Sequence, residues 1–367
     1  MYSELVYQIA LTLIPNIGPV QAKILLQQFD ATDVFKAKKR ELEKIEGIGS
    51  IRAESIKSFT DFSKAEEEIA FIEKYKIKPL FITNMSYPKR LLNCYDSPTL
   101  LFYKGEAELN SEKVVAVIGT RSHTEYGKQI TEKLIEELTE QNVVVISGLA
   151  HGIDAIAHKT AIKNNLLTVG ILAHGLDQVY PAQHTGLAKD MLKSGGGLLT
   201  EFRSKSKPDK HNFPTRNRIV AGMSDATIVV ETGIKGGSMI TAELANNYNK
   251  DVFAFPGKVT DTKSAGCNYL IKNNKAVLLT DAQELIELMS WEKKDQKTKA
   301  LNQKELFIEL NENEKIIIAI LREKNAVHID EINFKSGLSS SSVAAAILNL
   351  ELRNVVLSLP GKQYQIA

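Results

Sequence analysis

The sequence predicts an α/β protein whose Rossmann-like, doubly wound and mostly parallel sheet lies between a small helical N-terminal domain and a C-terminal winged-helix-like domain. Three observations predict this fold. Short apolar runs alternate with amphipathic stretches in the middle of the chain, short helical segments precede them, and a helix-turn-helix with a hairpin follows them. A length of 367 residues suits about two or three domains. We expect them at residues 1–78, 79–289 and 305–367, with a linker at 290–304.

The composition is that of an ordinary globular protein, with 43% hydrophobic and 25% charged residues. The formal net charge is only +2, so any site for a polyanion must come from local clustering of cations. Two cysteines, Cys94 and Cys267, fit a reducing compartment better than a disulfide framework. The first residues carry no basic signal-peptide region, and no apolar run approaches the roughly 20 residues of a membrane span. We therefore expect a cytoplasmic protein without membrane insertion.

The N-terminal segment contains a pattern typical of a helix-hairpin-helix. In "LEKIEGIGSIRAESI" (42–56), Gly47 and Gly49 permit a tight turn between two helices, whose backbone N–H groups can hold a nucleic-acid phosphate. A weaker copy, "LIPNIGPVQAKIL" (13–25), has Asn16 where the second copy has Gly47. Such hairpins also serve only as packing or partner-binding modules, and that alternative stays open.

The central segment predicts the sheet. Its strands are the apolar runs at 114–119, 143–147, 166–172, 197–201, 226–231 and 251–255, which suit parallel strands covered on both faces. Amphipathic stretches at 126–142 and 238–250 predict two of the covering helices. Ligands of such sheets bind beyond the carboxyl ends of the strands.

The last segment has the order of a winged helix. Val343, Ile347 and Leu350 share one helix face, and "VVLSLPGKQYQIA" predicts a hairpin that turns at Pro360–Gly361. The helix in the recognition position offers only Arg353 as a basic side chain, near its end, which suits base reading poorly. We therefore favour a protein-binding or packing role for this domain over DNA binding.

Two strand ends predict an anion site. The first ends in "VIGTR", where Gly119 and the following loop present backbone N–H groups, and Arg121 adds a fixed cation. The alternative is that Arg121 pairs with a structural carboxylate. The second strand ends in "SGLAHGIDAIAH", where Gly148 and Gly152 allow the backbone to approach a ligand, and Asp154 is either an N-cap or a ligand contact.

Several kinds of chemistry are not indicated by the sequence. There is no GxGxxG fingerprint, no GxxxxGK[ST] loop and no G-x-S-x-G nucleophile, and His151 and His158 lack the spacing of metal ligands. We expect neither a cofactor nor a metal. A further loop, "GGS" at 236–238, places Gly237 and Ser238 at the same edge of the sheet.

A basic segment, "RSKSKPDKHNFPTRNR" (203–218), marks a surface for a polyanion. Its single acid is Asp209, and its six cations are Arg203, Lys205, Lys207, Lys210, Arg216 and Arg218. Phe213 precedes Pro214, which predicts a position outside a helix, and an exposed aromatic among cations suits stacking on an unpaired base. Asn217 adds a hydrogen-bonding amide. In the alternative, the following residues form a core helix and Arg216 or Arg218 lies in an internal ion pair.

Taken in order, the motifs "VIGTR", "SGLAHGIDAIAH", "FPTRNRIVAG", "GSMITAELA", "FAFPG" and "GCNYLI" resemble the DNA-processing protein A (DprA/Smf) family over the whole chain. The resemblance implies a single-stranded DNA-binding protein of natural transformation, without enzymatic activity, which protects incoming strands. It also implies that the protein loads RecA recombinase onto strands coated with single-strand-binding protein, and that it forms a homodimer through the Rossmann-like domain.

The resemblance also implies roles for individual residues. Gly119 and Arg121 hold phosphate, Lys210 and Arg218 add positive charge, Phe213 stacks on a base and Asn217 bonds a nucleotide. Together with Gly148, Gly152, Arg216, Gly237 and Ser238, these residues form the expected DNA-binding set.

Two other functions remain open. "GIKGGSMITAE" (233–243) is similar to the loop of Rossmann-like nucleoside-phosphate hydrolases, with Glu243 as the acid/base group, although Ser238 and Met239 break the pattern. The other alternative is a pure adaptor protein, in which the terminal domains bind proteins.

Overall fold

The computed structural model describes residues 3–291, 310–322, 326–353, 355–359 and 362–366. The chain divides into two compact units, Met1–Glu292 and Lys293–Ala367. Within the described ranges, no helix has the length and apolar character needed to cross a membrane. The expected domain boundaries stay predictions. Most of the expected linker, from residue 292 onward, and the hairpin turn at 360–361 lie outside the described residues.

The first unit begins with short helices: α1 (Glu4–Leu11), α2 (Pro19–Leu26), α3 (Ala31–Lys36), α4 (Lys39–Glu43), α5 (Gly49–Ser58) and α6 (Ser63–Tyr75). Their buried faces form one apolar cluster, in which Ile9, Leu25 and Leu42 are fully buried. The same cluster includes Phe81 and Phe102, which belong to the adjacent edge of the sheet. The helices therefore pack directly against that edge.

The turns of the two helical hairpins share a backbone conformation. Gly47 and Gly49 have φ of 85° and 62°, in the left-handed region that glycine tolerates. Asn16 has φ of 66°, so it takes the conformation of Gly47 although it is not a glycine. The Arg52 side chain joins the two turns, since it donates to the backbone oxygens of Asn16 (3.1 Å) and Gly47 (3.0 Å).

The sheet of the first unit has nine described strands in the order β1-β2-β6-β5-β4-β3-β7-β8-β9. They are β1 (Lys78–Phe81), β2 (Leu100–Gly105), β3 (Val114–Gly119), β4 (Val144–Ser147), β5 (Thr168–Ile171), β6 (Gly197–Thr200), β7 (Ala226–Glu231), β8 (Asp251–Ala254) and β9 (Val277–Leu278). The β1–β2 and β2–β6 pairs are antiparallel and all other pairs are parallel. The mostly parallel sheet is as predicted.

Helices cover both faces of the sheet. They are α7 (Lys89–Leu92), α8 (Glu125–Glu137), α9 (Ile153–Lys163), α10 (Thr185–Lys193), α11 (Asn212–Met223), α12 (Gly237–Asn247), α13 (Ala265–Lys272) and α14 (Ala282–Leu288). Alternate residues of β3 show the two layers. Val115 and Val117 belong to a cluster with α8, α9 and α14, whereas Val114, Ala116 and Ile118 belong to a cluster with α11, α12 and α13. The doubly wound arrangement is therefore confirmed.

The strand order reverses at β3. From β3 the chain winds outward through β4, β5 and β6 on one side, and then through β7, β8 and β9 on the other. Such a reversal opens a crevice at the carboxyl ends of the central strands, which is where open α/β sheets bind their ligands.

The second unit is a winged helix. It contains α15 (Glu312–Leu321), β10 (Val327–His328), α16 (Ile329–Ser336), α17 (Ser340–Leu352), β11 (Val356–Leu359) and β12 (Gln363–Ile366), with strand order β10-β12-β11. Val343, Ile347 and Leu350 of α17 are buried, as predicted. Arg353, just after α17, forms an ion pair with the buried Glu314. The only basic side chain expected near this helix is thus engaged internally.

Candidate nucleic-acid interface

A cavity of about 710 Å³ opens at the carboxyl ends of β3, β4 and β7, where the strand order reverses. We call it the switch-point cavity. Residues 118–121 form the end of β3 and the start of the loop after it, residues 148–150 follow β4, and residues 232–238 lead from the end of β7 into α12. The start of α11 and the loop before it close the remaining side. Three separate strand ends and the starts of α11 and α12 therefore build the wall.

Most of the expected DNA-binding residues line this cavity: Gly119, Arg121, Gly148, Lys210, Phe213, Arg216, Asn217, Gly237 and Ser238. Gly152 and Arg218 do not belong to the lining. The fold thus gathers nine residues that are spread over 120 positions of sequence. Their contacts with DNA stay predictions.

Phe213 is the second residue of α11, so the expectation that it lies outside a helix is wrong. Pro214 follows as the third residue of the helix. In the first turn the backbone N–H has no intrahelical acceptor, so proline costs no hydrogen bond there. The Phe213 ring is half-buried and faces the switch-point cavity.

Phe213 lies between a cation and a second aromatic ring. The guanidinium carbon of Arg121 is 5.3 Å from the centroid of the Phe213 ring, and the centroid of the Tyr180 ring is 5.8 Å from it. Arg121 is exposed, and no carboxylate among the described residues pairs with it. The structure therefore does not support the alternative that Arg121 forms a structural ion pair. The three side chains form one contiguous surface, which we call the aromatic wall.

Both ends of the loop that carries Arg121 are anchored. Glu231 at the end of β7 accepts hydrogen bonds from the Thr124 backbone N–H (2.9 Å) and hydroxyl (2.7 Å). The Lys263 ammonium donates to the carbonyl and hydroxyl of Ser122. Thr124 also caps α8 by accepting from the backbone N–H of Gly127. Arg121 therefore projects from a fixed backbone.

Arg216 is buried and holds two strand ends together. Its guanidinium donates to the carbonyl oxygens of Gly148, at 2.5 Å, and of Ile171. A Cβ atom on residue 148 would lie 2.6 Å from this guanidinium, so the close approach requires glycine there. Burial lowers the pKa of Arg216 to about 10, and the nearby Asp154 opposes this shift. Arg216 therefore has mainly a structural role in the cavity wall.

Asp154 organises the loop after β4. It is the second residue of α9, whose N-cap is Gly152, so the N-cap interpretation is wrong. Its carboxylate accepts from the backbone N–H groups of Gly148 (3.1 Å) and Ala150 (3.3 Å). Burial raises the pKa of Asp154, whereas the Arg216 charge and these two hydrogen bonds lower it.

Gly152 allows a close backbone contact and does not line the cavity. Its φ is 80°, and a Cβ atom there would overlap the carbonyl oxygen of Thr120. Gly152 thus permits the loops after β3 and β4 to touch. The expected contact of Gly152 with a ligand stays a prediction, which its position outside the lining does not favour.

Arg218 has an internal role. Its guanidinium donates to the Glu201 carboxylate and to the backbone oxygen of Asp96, and only 8% of its side chain is exposed. Burial raises the pKa of Glu201 to about 7, with Arg218 acting in the opposite direction. The alternative of an internal ion pair therefore applies to Arg218. Its expected contact with DNA stays a prediction that these contacts do not favour.

The remaining cations of the basic segment divide into two groups. Lys205 pairs with Glu67 at 2.9 Å on the surface. Arg203, Lys207 and Lys210 have no ion-pair partner within the described part of the chain. Of the six cations counted in the sequence, Lys205, Arg216 and Arg218 thus have partners within the protein, and three are available. Lys210 is exposed and lines the cavity, so it joins Arg121 as a cation that faces a ligand.

Asn217 and the "GGS" loop form the opposite wall. The Asn217 side-chain oxygen accepts from Arg216 Nε at 3.1 Å, and its nitrogen donates to the Gly237 carbonyl at 3.4 Å. Gly237 begins α12, is exposed and lines the cavity, and the N-terminus of a helix favours anions. Ser238 is buried and donates its hydroxyl to Thr232 at 2.7 Å.

Across the described residues, no group of three His, Cys, Asp or Glu side chains could hold a metal ion. His158 is fully buried, with Nδ1 2.6 Å from the Thr168 hydroxyl, and burial lowers its pKa to about 3. Cys94 and Cys267 are free and buried.

Glu243, the acid/base group of the hydrolase alternative, does not line the cavity. Its side chain is 53% exposed and pairs with Lys275 at 3.5 Å on the outer face of α12. This placement gives the hydrolase alternative no support.

The sequence interpretation missed Tyr180, whose side chain lines the cavity and is 46% exposed. It comes from the connection between β5 and α10, which carries neither a charge cluster nor a glycine loop of the kind that marked the other residues. Its only sequence signal was an aromatic residue before a proline, at Tyr180–Pro181.

Comparisons with known proteins agree along the whole chain. The profile of the family described as DNA recombination-mediator protein A matches residues 78–290. A DprA winged helix domain profile matches residues 308–362, and a helix-hairpin-helix motif profile matches residues 9–69.

Individual relatives cover most of the chain as well. The chain is 32% identical to Protein Smf of Synechocystis sp., over 99% of both chains. It is similar to the crystal structure of DNA processing protein A from Streptococcus pneumoniae, with a TM-score of 0.67 and 31% identity, over 77% of this chain and 97% of that one. A structure of the Helicobacter pylori protein, whose title describes its single-stranded DNA binding mode, matches with a TM-score of 0.53 and 31% identity, over 59% of this chain and 96% of that one.

Proposed function

The chain belongs to the DNA recombination-mediator protein A (DprA/Smf) family, and we propose that it binds single-stranded DNA in the switch-point cavity. The observation that carries this proposal is the aromatic wall, in which the exposed Arg121 and the Phe213 ring lie 5.3 Å apart. Base stacking on an aromatic ring together with phosphate binding by a cation is the usual way in which proteins hold single strands.

The contacts suggest how the strand enters. In the free protein the Arg121 guanidinium covers the Phe213 ring and has no carboxylate partner within the described ranges. A base that stacks on this ring replaces the guanidinium, which then binds the neighbouring phosphate. Lys210 and the start of α12 at Gly237 also line the cavity and provide further places for phosphate.

Discrimination against duplex DNA follows from the same geometry. The bases of a duplex are paired and stacked, so an aromatic side chain in a cavity reaches them only after they separate. An unpaired base carries no such cost. The affinity for single strands should therefore exceed that for duplex of the same sequence.

We further propose that the protein acts as a mediator in the cytoplasm: it protects incoming single strands and loads RecA recombinase onto strands coated with single-strand-binding protein during natural transformation. Family membership supports this role, and a homodimer formed through the Rossmann-like domain would extend the DNA path over two cavities. We propose a binding function rather than catalysis, because the one acid that the hydrolase alternative needs, Glu243, lies outside the cavity.

The mediator role is tested by RecA filament assembly on DNA coated with single-strand-binding protein. Wild-type protein is expected to shorten the lag of assembly, and Phe213→Ala is expected to lose this effect in parallel with DNA binding. Unchanged assembly in the presence of wild-type protein that binds single strands would reject loading while leaving DNA binding intact. Sedimentation of the free protein over a concentration series tests the dimer.

A further inference from the structure

Tyr180 is the one aromatic neighbour of Phe213 in the aromatic wall among the described residues. Its ring lines the switch-point cavity and 46% of the residue is exposed. The two ring planes are tilted by 48°, with centroids 5.8 Å apart. They are therefore in contact with each other, and no base fits between them.

The backbone of Tyr180 is held in place by a buried histidine. The Tyr180 N–H donates to His174 Nε2 at 3.1 Å, while His174 Nδ1 lies 2.9 Å from the carbonyl oxygen of Gly175. This pattern requires a neutral imidazole with its proton on Nδ1. Burial lowers the pKa of His174, so the neutral form persists at neutral pH. The ring thus projects from a fixed point.

Other tyrosines of the first unit show what a structural role looks like here. Tyr87, Tyr103 and Tyr248 are all at least 93% buried. Each donates its hydroxyl to a nearby oxygen, at 2.5, 2.8 and 2.6 Å. Tyr180 has neither feature: its ring is half exposed, and its hydroxyl has no partner within the described part of the chain. A ring left open beside an aromatic that is expected to stack is available for a ligand.

We propose that Tyr180 stacks on a second base, the neighbour of the base that stacks on Phe213. This inference rests on the proposed single-stranded DNA binding. The two ring centroids are 5.8 Å apart, so bases on the free faces of the two rings lie farther apart than the about 3.4 Å between nucleotides of a stacked strand. Such a separation suits neighbouring nucleotides of an unstacked, extended strand. Each base uses the free face of its own ring.

The test combines protein variants with oligonucleotides that lack one base. A single-stranded oligonucleotide is first shortened to the minimum length that keeps full affinity, so that it binds in one register. A set of abasic derivatives, one for each position, is then titrated against wild-type protein, Tyr180→Ala and Phe213→Ala. For each variant, the informative abasic position is the one at which the variant and the wild-type protein bind equally well. The base that is missing there is the one that the substituted side chain contacts.

We expect Tyr180→Ala to weaken binding of the intact strand about tenfold, a loss within the range for one base stacked on an aromatic ring. The loss should disappear at an abasic position adjacent to the one that removes the effect of Phe213→Ala. Tyr180→Phe, which keeps the ring, should bind within about twofold of wild type. The matched control is Tyr95→Ala: that ring is also exposed, at 63%, and 5.8 Å from a neighbouring ring, but lies outside the cavity.

Three results would overturn the inference. If both variants lose their effect at the same abasic position, Tyr180 only supports the Phe213 ring. If Tyr180→Ala binds like wild type while Phe213→Ala is weakened, Tyr180 contacts no base. If wild-type protein does not bind single strands at all, the proposed function fails and this inference fails with it.

Discussion

The guanidinium carbon of Arg121 lies 5.3 Å from the centroid of the Phe213 ring, and both side chains line the switch-point cavity. Such a cation–π contact is worth about 0.5–1 kcal/mol at an exposed site. It is strong enough to orient both side chains and weak enough for a stacked base and a phosphate to replace it. The free protein therefore presents a ring and a cation at one place, close to the arrangement that a nucleotide needs.

Removing the Arg121 charge should change the salt dependence of binding. Arg121→Gln is expected to weaken binding to all single-stranded sequences and to reduce the slope of log affinity against log salt by about one unit, the effect of one lost phosphate contact. Phe213→Ala serves as the control, since it should weaken binding with little change in slope. Fluorescence anisotropy over a salt series measures both. An unchanged slope in Arg121→Gln would show that this side chain does not bind phosphate.

Removing the Phe213 ring should weaken binding by about 1–3 kcal/mol, the range measured for single aromatic–base stacks. The matched control is Phe334→Ala in the second unit, where the ring is 89% exposed but lies outside the cavity. Titration of a labelled single strand by each variant provides the comparison. Equal affinities of Phe213→Ala and wild type would reject the stacking role.

Two exposed lysines of the basic segment should differ in importance. Lys205 is paired with Glu67 at 2.9 Å, whereas Lys210 lines the cavity without a carboxylate partner within the described ranges. Lys210→Ala is expected to lose about fivefold in affinity near 0.1 M salt, as for one lost phosphate contact. Lys205→Ala should stay near wild type. Equal losses in a side-by-side titration would indicate that only the total charge of the segment matters.

Gly148→Ala should destabilise the first unit. The new Cβ would lie 2.6 Å from the buried Arg216 guanidinium, which holds the carbonyl oxygens of residues 148 and 171 and cannot retreat freely. Overpacking of this kind costs about 1–3 kcal/mol. Gly237→Ala is the control for stability, because a Cβ there meets no atom within 4 Å. Urea denaturation measures both, and equal stabilities would contradict the close contact.

His158 should make the first unit sensitive to acid. Burial lowers its folded-state pKa to about 3, below the ordinary value of 6.5, and the nearby His184 and Arg216 charges act in the same direction. The unfolded chain therefore binds the proton more readily. The contribution of neutral His158 is fully present above pH 6.5 and is lost as the pH falls from 6.5 toward 3.

The check compares the free energy of unfolding of wild type and His158→Gln at about pH 7.5 and about pH 5. His158→Gln should be less stable than wild type at the higher pH, because the contact with the Thr168 hydroxyl is altered. It should also lose less stability than wild type between the two values. Equal losses in both proteins would show that His158 does not carry the acid sensitivity.

The parallel strands of the sheet could be predicted because they are buried on both faces. The predicted runs at 114–119 and 226–231 coincide with β3 and β7, and each consists of apolar residues with few interruptions. Three strands escaped prediction: the edge strands β1 and β9, and β2, which lies next to β1. β1 begins with Lys78 and Pro79, β2 ends in Lys104 and Gly105, and β9 has only two residues, both exposed. Strands at or next to an edge of the sheet depend on their neighbours more than on a sequence pattern.

The site could be predicted in part. Charge clustering and glycine loops identified nine of the residues that line the cavity, because parallel strand ends meet at one edge of a sheet. The same reasoning could not separate cations that face a ligand from cations that hold the fold. Arg218 pairs with Glu201, which lies 17 positions away and stands outside every motif. Tyr180 approaches Phe213 only through the tertiary structure, so no local pattern could reveal it.

The most direct test of the account is a competition experiment, in which a labelled single strand bound to the protein is challenged with unlabelled single strand and with duplex of the same sequence over a salt series. The single strand is expected to displace the label at far lower concentrations than the duplex does. The affinity should fall steeply with salt, and the contribution of stacking should remain at high salt. Equal displacement by both competitors, or an affinity that does not depend on salt, would contradict the proposal that the switch-point cavity binds unpaired DNA.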